Sequence, residues 1–307
     1  MRSFLPEVSR VTVHGHGPST SMKRQRSDPA TGLLRANLGR ALDCLAETGK
    51  IDARVHAARK ALKRARAALR LMRPALASEV YERENRALRD AARCLSPLRD
   101  ARSLVVAAAL LDRSRLKAAS GAAAMAALRQ ILEQRLDAAR RAFAKPAARR
   151  RCAQLVKACR QRMLRDPPPR ADALKLLAGL RRIYRNGRRS LTRASAERTP
   201  EALHEWRKQT KYLHAAAGAL SHAGVHPLKR VVQRCADIAA RLGDDHDLVE
   251  LRHEIGRTFP AKAGAETVLS RLDARRQRLQ RDALDRGART FRKEPGQFVA
   301  DLSASRL

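Results

Sequence analysis

From Leu33 onward, apolar side chains recur every third or fourth residue, which is the spacing of an α-helix with one buried face. The clearest stripe is formed by Val55, Ala58, Leu62, Ala65, Leu69, Met72 and Leu76. No segment shows a convincing alternation with a period of two, as a half-buried strand would. Ala, Leu and Arg, which favour helices, are abundant, and the strand formers Val, Ile and Thr are sparse. We therefore predict an all-α protein of about ten or eleven helices.

Proline, glycine and serine separate the predicted helices. The breaks fall at Thr48–Gly49, Arg73–Pro74, Ser96–Pro97, Ser120–Gly121, Lys145–Pro146, Asp166–Pro169, Thr199–Pro200, His226–Pro227, Gly243–Asp244 and Phe259–Pro260. Asp166–Pro169 is the strongest break, and it separates two halves of similar length, residues 33–165 and 170–290. We expect a disordered basic tail over residues 1–30, a helical domain over 31–292 and a C-terminal tail over 293–307.

The two halves carry the same motif, which indicates an internal repeat. His56-Ala-Ala-Arg59-Lys60-Ala-Leu-Lys63 matches His204-Glu-Trp-Arg207-Lys208-Gln-Thr-Lys211 in four residue types at one spacing. At nearly the same distance beyond each motif come Leu95-Ser-Pro-Leu-Arg-Asp100 and Leu242-Gly-Asp-Asp-His-Asp247. Two matches in the same order favour a duplicated unit, so we predict a helical bundle of two pseudo-symmetric repeated halves.

The shared motif places its polar residues on one helix face. Positions i, i+3, i+4 and i+7 lie on the same side of a helix, so each motif forms a basic stripe headed by histidine. Arg66, Arg70 and Arg73 extend the first stripe. Such a stripe is also typical of a face that only contacts solvent, but its recurrence favours a binding role. Neighbouring cations should lower the pKa of both histidines, and a bound phosphate should raise it.

The overall charge points to a polyanionic partner. The 307 residues contain 66 Lys and Arg against 30 Asp and Glu, a formal net charge of +36. Nucleic acid, an anionic lipid surface and polyphosphate are the classes that such a charge attracts. Aromatic residues make up only 3% of the chain, which provides few stacking platforms for single-stranded nucleic acid.

Cysteines and apolar runs bear on localisation. The five cysteines form no C-x-x-C motif, and their odd number argues against complete disulfide pairing, so we predict a reducing, cytoplasmic setting. The longest apolar run, residues 104–111, is much shorter than the roughly 20 residues that cross a bilayer. We expect no membrane span and leave the oligomeric state open.

The doubled pattern H-x-x-R-K-x-x-K-R-x-R resembles the CHAD family, the conserved-histidine α-helical domain, over about residues 33–290. This resemblance implies a helical bundle with pseudo-twofold symmetry, whose two basic helices line a positively charged surface that binds inorganic polyphosphate. The second copy departs from the family pattern at His214 and Ala215, where an arginine and a tyrosine are usual. The candidate polyphosphate-binding residues are His56, Arg59, Lys60, Lys63, Arg64, Arg66, Arg70, His204, Arg207, Lys208, Lys211 and His214.

Two other clusters admit a functional interpretation. Asp244, Asp245, His246 and Asp247 include metal-ligand types, but their position after Gly243 is also that of a helix N-cap and first turn, which we favour. The basic cluster Arg181, Arg182, Arg185, Arg188 and Arg189 is either a second anion patch or a solvated helix end.

These features predict a binding protein without catalytic residues, metal or cofactor. No Gly-rich phosphate loop, nucleophile triad or cluster of carboxylates for Mg²⁺ appears in the sequence. The leading hypothesis is non-catalytic polyphosphate binding in the cytoplasm, with polyphosphate granules as a candidate location. The alternatives are a non-specific nucleic-acid-binding protein and a protein that coats another storage granule.

Overall fold

The computed structural model describes residues 28–112, 119–222, 224–259 and 265–304, and these ranges contain eleven α-helices and no strand. The helices are α1 (Pro29–Ala46), α2 (Ile51–Met72), α3 (Ser78–Cys94), α4 (Ser96–Asp112), α5 (Ala119–Ala144), α6 (Pro146–Arg165), α7 (Ala173–Glu197), α8 (Pro200–His222), α9 (Leu228–Thr258), α10 (Ala265–Thr290) and α11 (Pro295–Ala304). The all-α prediction is therefore confirmed. The pseudo-symmetry of the two halves stays a prediction.

The ends of the helices follow from local sequence. Asp28 caps α1 by accepting hydrogen bonds from the backbone N–H groups of Ala30 and Thr31, both at 3.0 Å, and Pro29 occupies the first turn. Asp172 caps α7 in the same way through Lys175 N–H at 2.8 Å. Gly49 adopts φ +114° between α1 and α2, a conformation that side chains other than glycine rarely tolerate.

One predicted break is wrong. Helix α9 runs without interruption through Gly243–Asp244, so Asp244 and Asp245 lie in the middle of a helix and cap nothing. Gly243 is a packing position there, because a Cβ atom would lie 3.1 Å from Arg207 Nη2. Sequence reasoning mistook a glycine that allows close contact for one that ends a helix.

The two predicted tails are described to different extents. Residues 1–27 of the predicted basic tail lie outside the described residues, and α1 begins within the last residues of that tail. The C-terminal tail contains α11, which packs against α7 and buries Phe298 and Leu302.

The two halves share one main hydrophobic core, and α2 lies at its centre. Helix α2 packs against α1, α3, α4, α7 and α8, and its Leu62, Leu69 and Met72 are completely buried. Trp206 and Leu213 on α8 belong to the same core. A smaller apolar cluster joins α4 and α5 to α9 and α10. Because α2 and α8 both face this shared core, the two predicted basic stripes are brought side by side.

Gly179 sets the distance between α7 and α2. A Cβ atom at this position would lie 2.0 Å from the backbone oxygen of Leu71, closer than any side chain can be accommodated. The missing side chain therefore lets the two backbones touch, and this contact fixes the second half of the chain against the first.

Candidate anion-binding site

Cationic side chains from both halves meet where α2, α4 and α8 pack together. We call five of them the central cationic cluster: Arg59, Lys63, Arg99, Arg207 and Lys211. Arg59 and Lys63 come from α2, Arg99 from the start of α4, and Arg207 and Lys211 from α8. Four of the five were candidates from the sequence. Arg99 was not.

The surroundings of the two lysines of the cluster disfavour their charged, ammonium form. Partial burial, followed by the charges of Arg59, Arg207 and Arg99, lowers the pKa of Lys63 to about 8. Burial and then Arg207, Lys63 and Arg99 lower the pKa of Lys211 to about 6. Lys63 nevertheless retains a solvent-exposed surface, so an anion can reach it from solvent. An anion bound beside these lysines would relieve the repulsion.

Arg207 is the most buried charge of the cluster. It is only 9% exposed, and its buried Nε atom has no hydrogen-bond partner. No carboxylate in the described ranges comes within ion-pairing distance of it. Burial lowers its pKa, and the repulsion from Arg99 acts in the same direction, against the longer-range attraction of Asp247 and Asp244. A buried cation without a partner costs free energy that an anionic ligand would offset.

Arg59 and Arg99 are held in place by the protein. Arg59 Nη1 donates to the carbonyl oxygen of Ala92 at 2.9 Å and to Ser96 Oγ at 2.8 Å. Arg99 pairs with Asp100 at 3.1 Å and with Asp247 at 3.2 Å. The Asp247 pair joins α4 to α9, so a contact between the two halves lies directly beside the cluster.

The motif histidines border the cluster and differ in environment. The ring centroids of His204 and His246 are 4.5 Å apart, and the buried Nδ1 atom of His204 has no hydrogen-bond partner. His56 is exposed at the head of α2. The pKa of His56 and that of His204 are both lowered, as predicted, but burial is the largest cause and the neighbouring cations come second. Burial and the neighbours lower the pKa of His246 to about 3.

Other predicted residues lie beside the cluster and are engaged elsewhere. Arg66 and Arg70 donate to Asn85 Oδ1 at 3.0 and 3.3 Å, and Arg70 Cζ lies 3.6 Å from the ring centroid of Tyr212. Lys208 pairs with Glu205. These contacts reduce what the three cations offer to a ligand.

His214 and Arg64 line a separate cavity of about 650 Å³ between α1 and α8. Burial lowers the pKa of His214, and Arg64, Lys60 and Lys211 lower it further. His214, which departs from the usual family pattern, therefore lies close to the central cationic cluster, on the side that faces α1. Lys60 is exposed nearby.

Sequence reasoning missed Arg99, His246 and Asp247 as site residues, although the repeat contained the signal. In the stretches that follow the two motifs, Arg99 occupies the position of His246 and Asp100 that of Asp247. Ser96 likewise corresponds to Gly243, and these two positions contact Arg59 and Arg207 respectively. Residues 95–100 and 242–247 thus lie on the side of the site opposite the two basic stripes.

The acidic cluster of α9 is used within the protein. Asp245 is buried and accepts hydrogen bonds from Arg276 Nε at 3.1 Å and Gln280 Nε2 at 2.9 Å, while Asp247 pairs with Arg99. Within the part of the chain that the structure describes, no group of three His, Cys, Asp or Glu side chains is arranged to hold a metal ion.

These features define a class of protein: an all-helical domain in which two packed basic helices present a shared cationic site. The sequence matches the CHAD domain family over residues 32–256, and the chain belongs to that family. The family is associated with polyphosphate, which gives the protein a coarse link to that polymer. No curated protein matches the sequence.

Solved structures with a similar fold include the following two. PptA from Streptomyces chartreusis has a TM-score of 0.60 and 17% sequence identity, and the match covers 87% of this chain and 99% of PptA. The CHAD domain from the plant Ricinus communis has a TM-score of 0.55 and 19% identity, with 86% of this chain and 91% of that domain covered. At these identities the likeness concerns the fold alone.

Proposed function

We propose that this protein binds inorganic polyphosphate at the central cationic cluster and does not cleave it. The observation that carries the proposal is Arg207, a buried guanidinium that forms no ion pair among the described residues. Asp247 and Asp244 attract it only at longer range, and four further basic side chains from α2, α4 and α8 lie around it. Protein interiors normally pair such a charge, so its free state implies a ligand of opposite charge.

A phosphate chain fits the composition of the cluster. Each phosphate presents oxyanions that an Arg fork binds in a bidentate manner and that a Lys ammonium binds as a point charge. A flexible chain with one negative charge at each internal phosphate is able to contact all five cations at once. The membership of the chain in a polyphosphate-associated family supports the same ligand.

The aromatic residues near the site favour polyphosphate over nucleic acid. Trp206 and Tyr184 are completely buried, and Arg70 covers the ring of Tyr212. The described residues around the cluster therefore offer no open aromatic face on which a base would stack. Nucleic acid would be held by its phosphates alone, through diffuse charge.

The surface is a poor match for a coat on an apolar storage inclusion. The exposed large apolar side chains of the described residues are Val106, Leu164 and Leu174, which lie on three different helices. They form no continuous apolar face. In the same ranges no helix is long and apolar enough to cross a membrane. We propose a cytoplasmic location, at polyphosphate granules, because the proposed ligand is stored there.

The proposal that the protein is not an enzyme rests on the acids around the cluster. Asp245 and Asp247 are already bound to arginines, so they are poorly placed to hold the Mg²⁺ ions that phosphoanhydride cleavage usually needs. Incubation with polyphosphate and Mg²⁺ or Mn²⁺ should release no orthophosphate above background. Sustained release that disappears in Asp247→Asn would overturn this part of the proposal.

A competition experiment tests the ligand. Fluorescently labelled long-chain polyphosphate is bound to the purified protein at near-physiological salt and displaced with unlabelled polyphosphate, duplex DNA or single-stranded RNA at equal phosphate concentration. We expect polyphosphate to be the strongest competitor. Displacement by DNA or RNA at equal or lower concentration would identify a nucleic-acid-binding protein.

Charge reversal tests the site. Lys63→Glu should weaken polyphosphate binding by about 100-fold, because a repulsion replaces an attraction within a cluster of partly buried charges. The matched control is Arg86→Glu, the same change in net charge on the exposed face of α3. Equal losses in the two variants would show that binding depends on net charge, not on this cluster.

A further inference from the structure

A second group of arginines lies on α7, outside the central cationic cluster. Arg181, Arg185, Arg188 and Arg189 line a cavity of about 710 Å³ that is closed on its other side by the start of α11. We call this cavity the α7 recess. Its lining includes one acidic residue, Glu294, and no large apolar side chain.

The α7 recess faces away from the central cluster. The buried face of α7 consists of Leu176, Leu180, Ile183 and Gly187, and α7 packs against α2 and α8. At about 100° of rotation per residue, Arg181, Arg185 and Arg188 point to the opposite side of the same helix. The recess therefore opens on the side of α7 that faces away from the central cluster.

Most of the positive charge in the recess is unpaired. Glu294 pairs with Arg188. Among the described residues, no carboxylate pairs with Arg181, Arg185 or Arg189. Like charges one turn apart destabilise a helix, and α7 places Arg181, Arg185 and Arg189 at successive i, i+4 positions. The row is unfavourable unless an anion neutralises it.

The geometry of the recess is fixed by buried aromatic contacts. The rings of Tyr184 and Phe298 stack with centroids 4.0 Å apart, and the Tyr184 hydroxyl donates to the carbonyl oxygen of Lys293 at 3.0 Å. Gly187 lets the ring of Phe291 approach α7 closely. These contacts hold the start of α11 against α7 next to Tyr184, so that it faces the arginines across the recess.

The start of α11 adds further donors. Pro295 has no N–H, and the next backbone N–H groups, including that of Gly296, have no acceptor within the helix. Arg181 Nη2 lies 3.6 Å from the point where a Cβ atom on Gly296 would be, so backbone and guanidinium are adjacent. An oxyanion between them would meet donors on two sides.

We propose that the α7 recess is a second polyphosphate-binding site, which takes a short segment of the chain independently of the central cluster. The inference rests on the proposed function for the choice of polymer. The recess presents arginine side chains and backbone N–H groups but no aromatic face, because Tyr184 and Phe298 turn inward. This lining recognises phosphate groups and offers no aromatic platform on which a nucleobase would stack.

Two sites on opposite sides of α7 make the protein bivalent. A short polyphosphate chain occupies one site at a time. Long chains that bind different sites on different protein molecules can link these molecules into a network. Bivalent binding to a long chain also raises the apparent affinity through effective concentration when the chain spans both sites.

Stoichiometry with short polyphosphate chains tests the proposal. Isothermal titration calorimetry of the full chain with a polyphosphate too short to span both sites should give two bound chains per protein. The double change Arg185→Glu and Arg189→Glu should remove one of them, weakening that site by about 100-fold or more because two charge-assisted contacts become repulsive. The matched control is the double change Arg86→Glu and Arg182→Glu, which alters the net charge equally at two exposed arginines that do not line the recess. Circular dichroism confirms that the variants remain helical.

Each outcome decides between the two sites. Loss of one bound chain in the double variant, with the other chain unaffected, supports the proposal, and Lys63→Glu should then remove the other chain. A stoichiometry of one in the unchanged protein, or a recess double variant that behaves as the control double variant does, overturns the second site and leaves the central cluster standing. Binding that disappears in the double variant but survives in Lys63→Glu instead contradicts the proposed function. Equal binding of an RNA oligomer of the same phosphate number at the recess would overturn the choice of polyphosphate as its ligand.

Discussion

Lys211 should make polyphosphate binding strongly dependent on pH. Its pKa in the free protein is about 6, because burial and the charges of Arg207, Lys63 and Arg99 outweigh the attraction of Asp247. A bound phosphate favours the ammonium form and raises this pKa toward or above its ordinary value. Binding therefore takes up a proton, so affinity increases as the pH falls toward 6 and decreases as the pH rises.

The magnitude follows from the protonated fraction of the free protein. At pH 8 about 1% of Lys211 is protonated, against about half at pH 6, so the proton uptake contributes about 50-fold to affinity over this interval. Lys63, with a pKa of about 8, adds about twofold. Together they amount to about 100-fold, or nearly 3 kcal/mol of binding free energy.

The assay compares Lys211→Arg with the unchanged protein at pH 6, 7 and 8 and constant ionic strength. Arginine keeps its charge throughout this range, so the variant should retain only the smaller dependence from Lys63 and the histidines. Long chains are used so that terminal phosphates, which titrate near pH 6, contribute little. Lys208→Arg is the matched control, because Lys208 is exposed and pairs with Glu205 one turn away on the same helix.

Two results would refute this reasoning. If the affinity of the unchanged protein is the same at pH 6 and pH 8, Lys211 does not gain a proton on binding and lies outside the site. If Lys211→Arg shows the full dependence of the unchanged protein, another group is responsible, and the histidines would be examined next.

Three further changes test other parts of the structure. The double change His56→Gln and His204→Gln should flatten the pH dependence of binding that remains below pH 6.5, because both histidines have a lowered pKa in the free protein. The circular dichroism spectrum should not change, and an unchanged pH profile would exclude the two histidines from binding. Asp247→Asn should strengthen polyphosphate binding about fivefold, since it removes a carboxylate that competes for the cluster, and weaker binding would show that it orients the site instead. Gly179→Ala should lower the free energy of unfolding by about 3 kcal/mol in chemical denaturation, because its methyl group would collide with the backbone of Leu71, and an unaffected midpoint would refute the close contact.

The sequence predicted the helices well because their signals are local. Apolar spacing, proline and capping residues act within one or two turns, and these signals located breaks such as Lys145–Pro146 and Thr199–Pro200. The error at Gly243 has the opposite cause. Gly243 packs against Arg207 on a different helix, and no local sequence pattern reveals such a contact.

The candidate site was predictable as two stripes but not as one cluster. Repetition of the histidine motif identified Arg59, Lys63, Arg207 and Lys211, because a stripe is a property of a single helix. The structure separated these residues from Arg70, which lies on the same stripe but stacks on Tyr212. That separation depends on what the neighbouring helix presents at each position.

The sequence by itself determined that this chain is helical, strongly basic and marked twice by the same motif, since composition, periodicity and spacing need no knowledge of contacts. The tertiary structure decided which of the cations meet. Packing of α2 on α8 and of α4 on α9 brings Arg99 to Lys63 and Lys211 and leaves Arg207 buried without a partner. The physical reason is that charge interactions weaken with distance and with exposure to water, so the same residues acquire altered pKa values only when folding places them together and away from solvent.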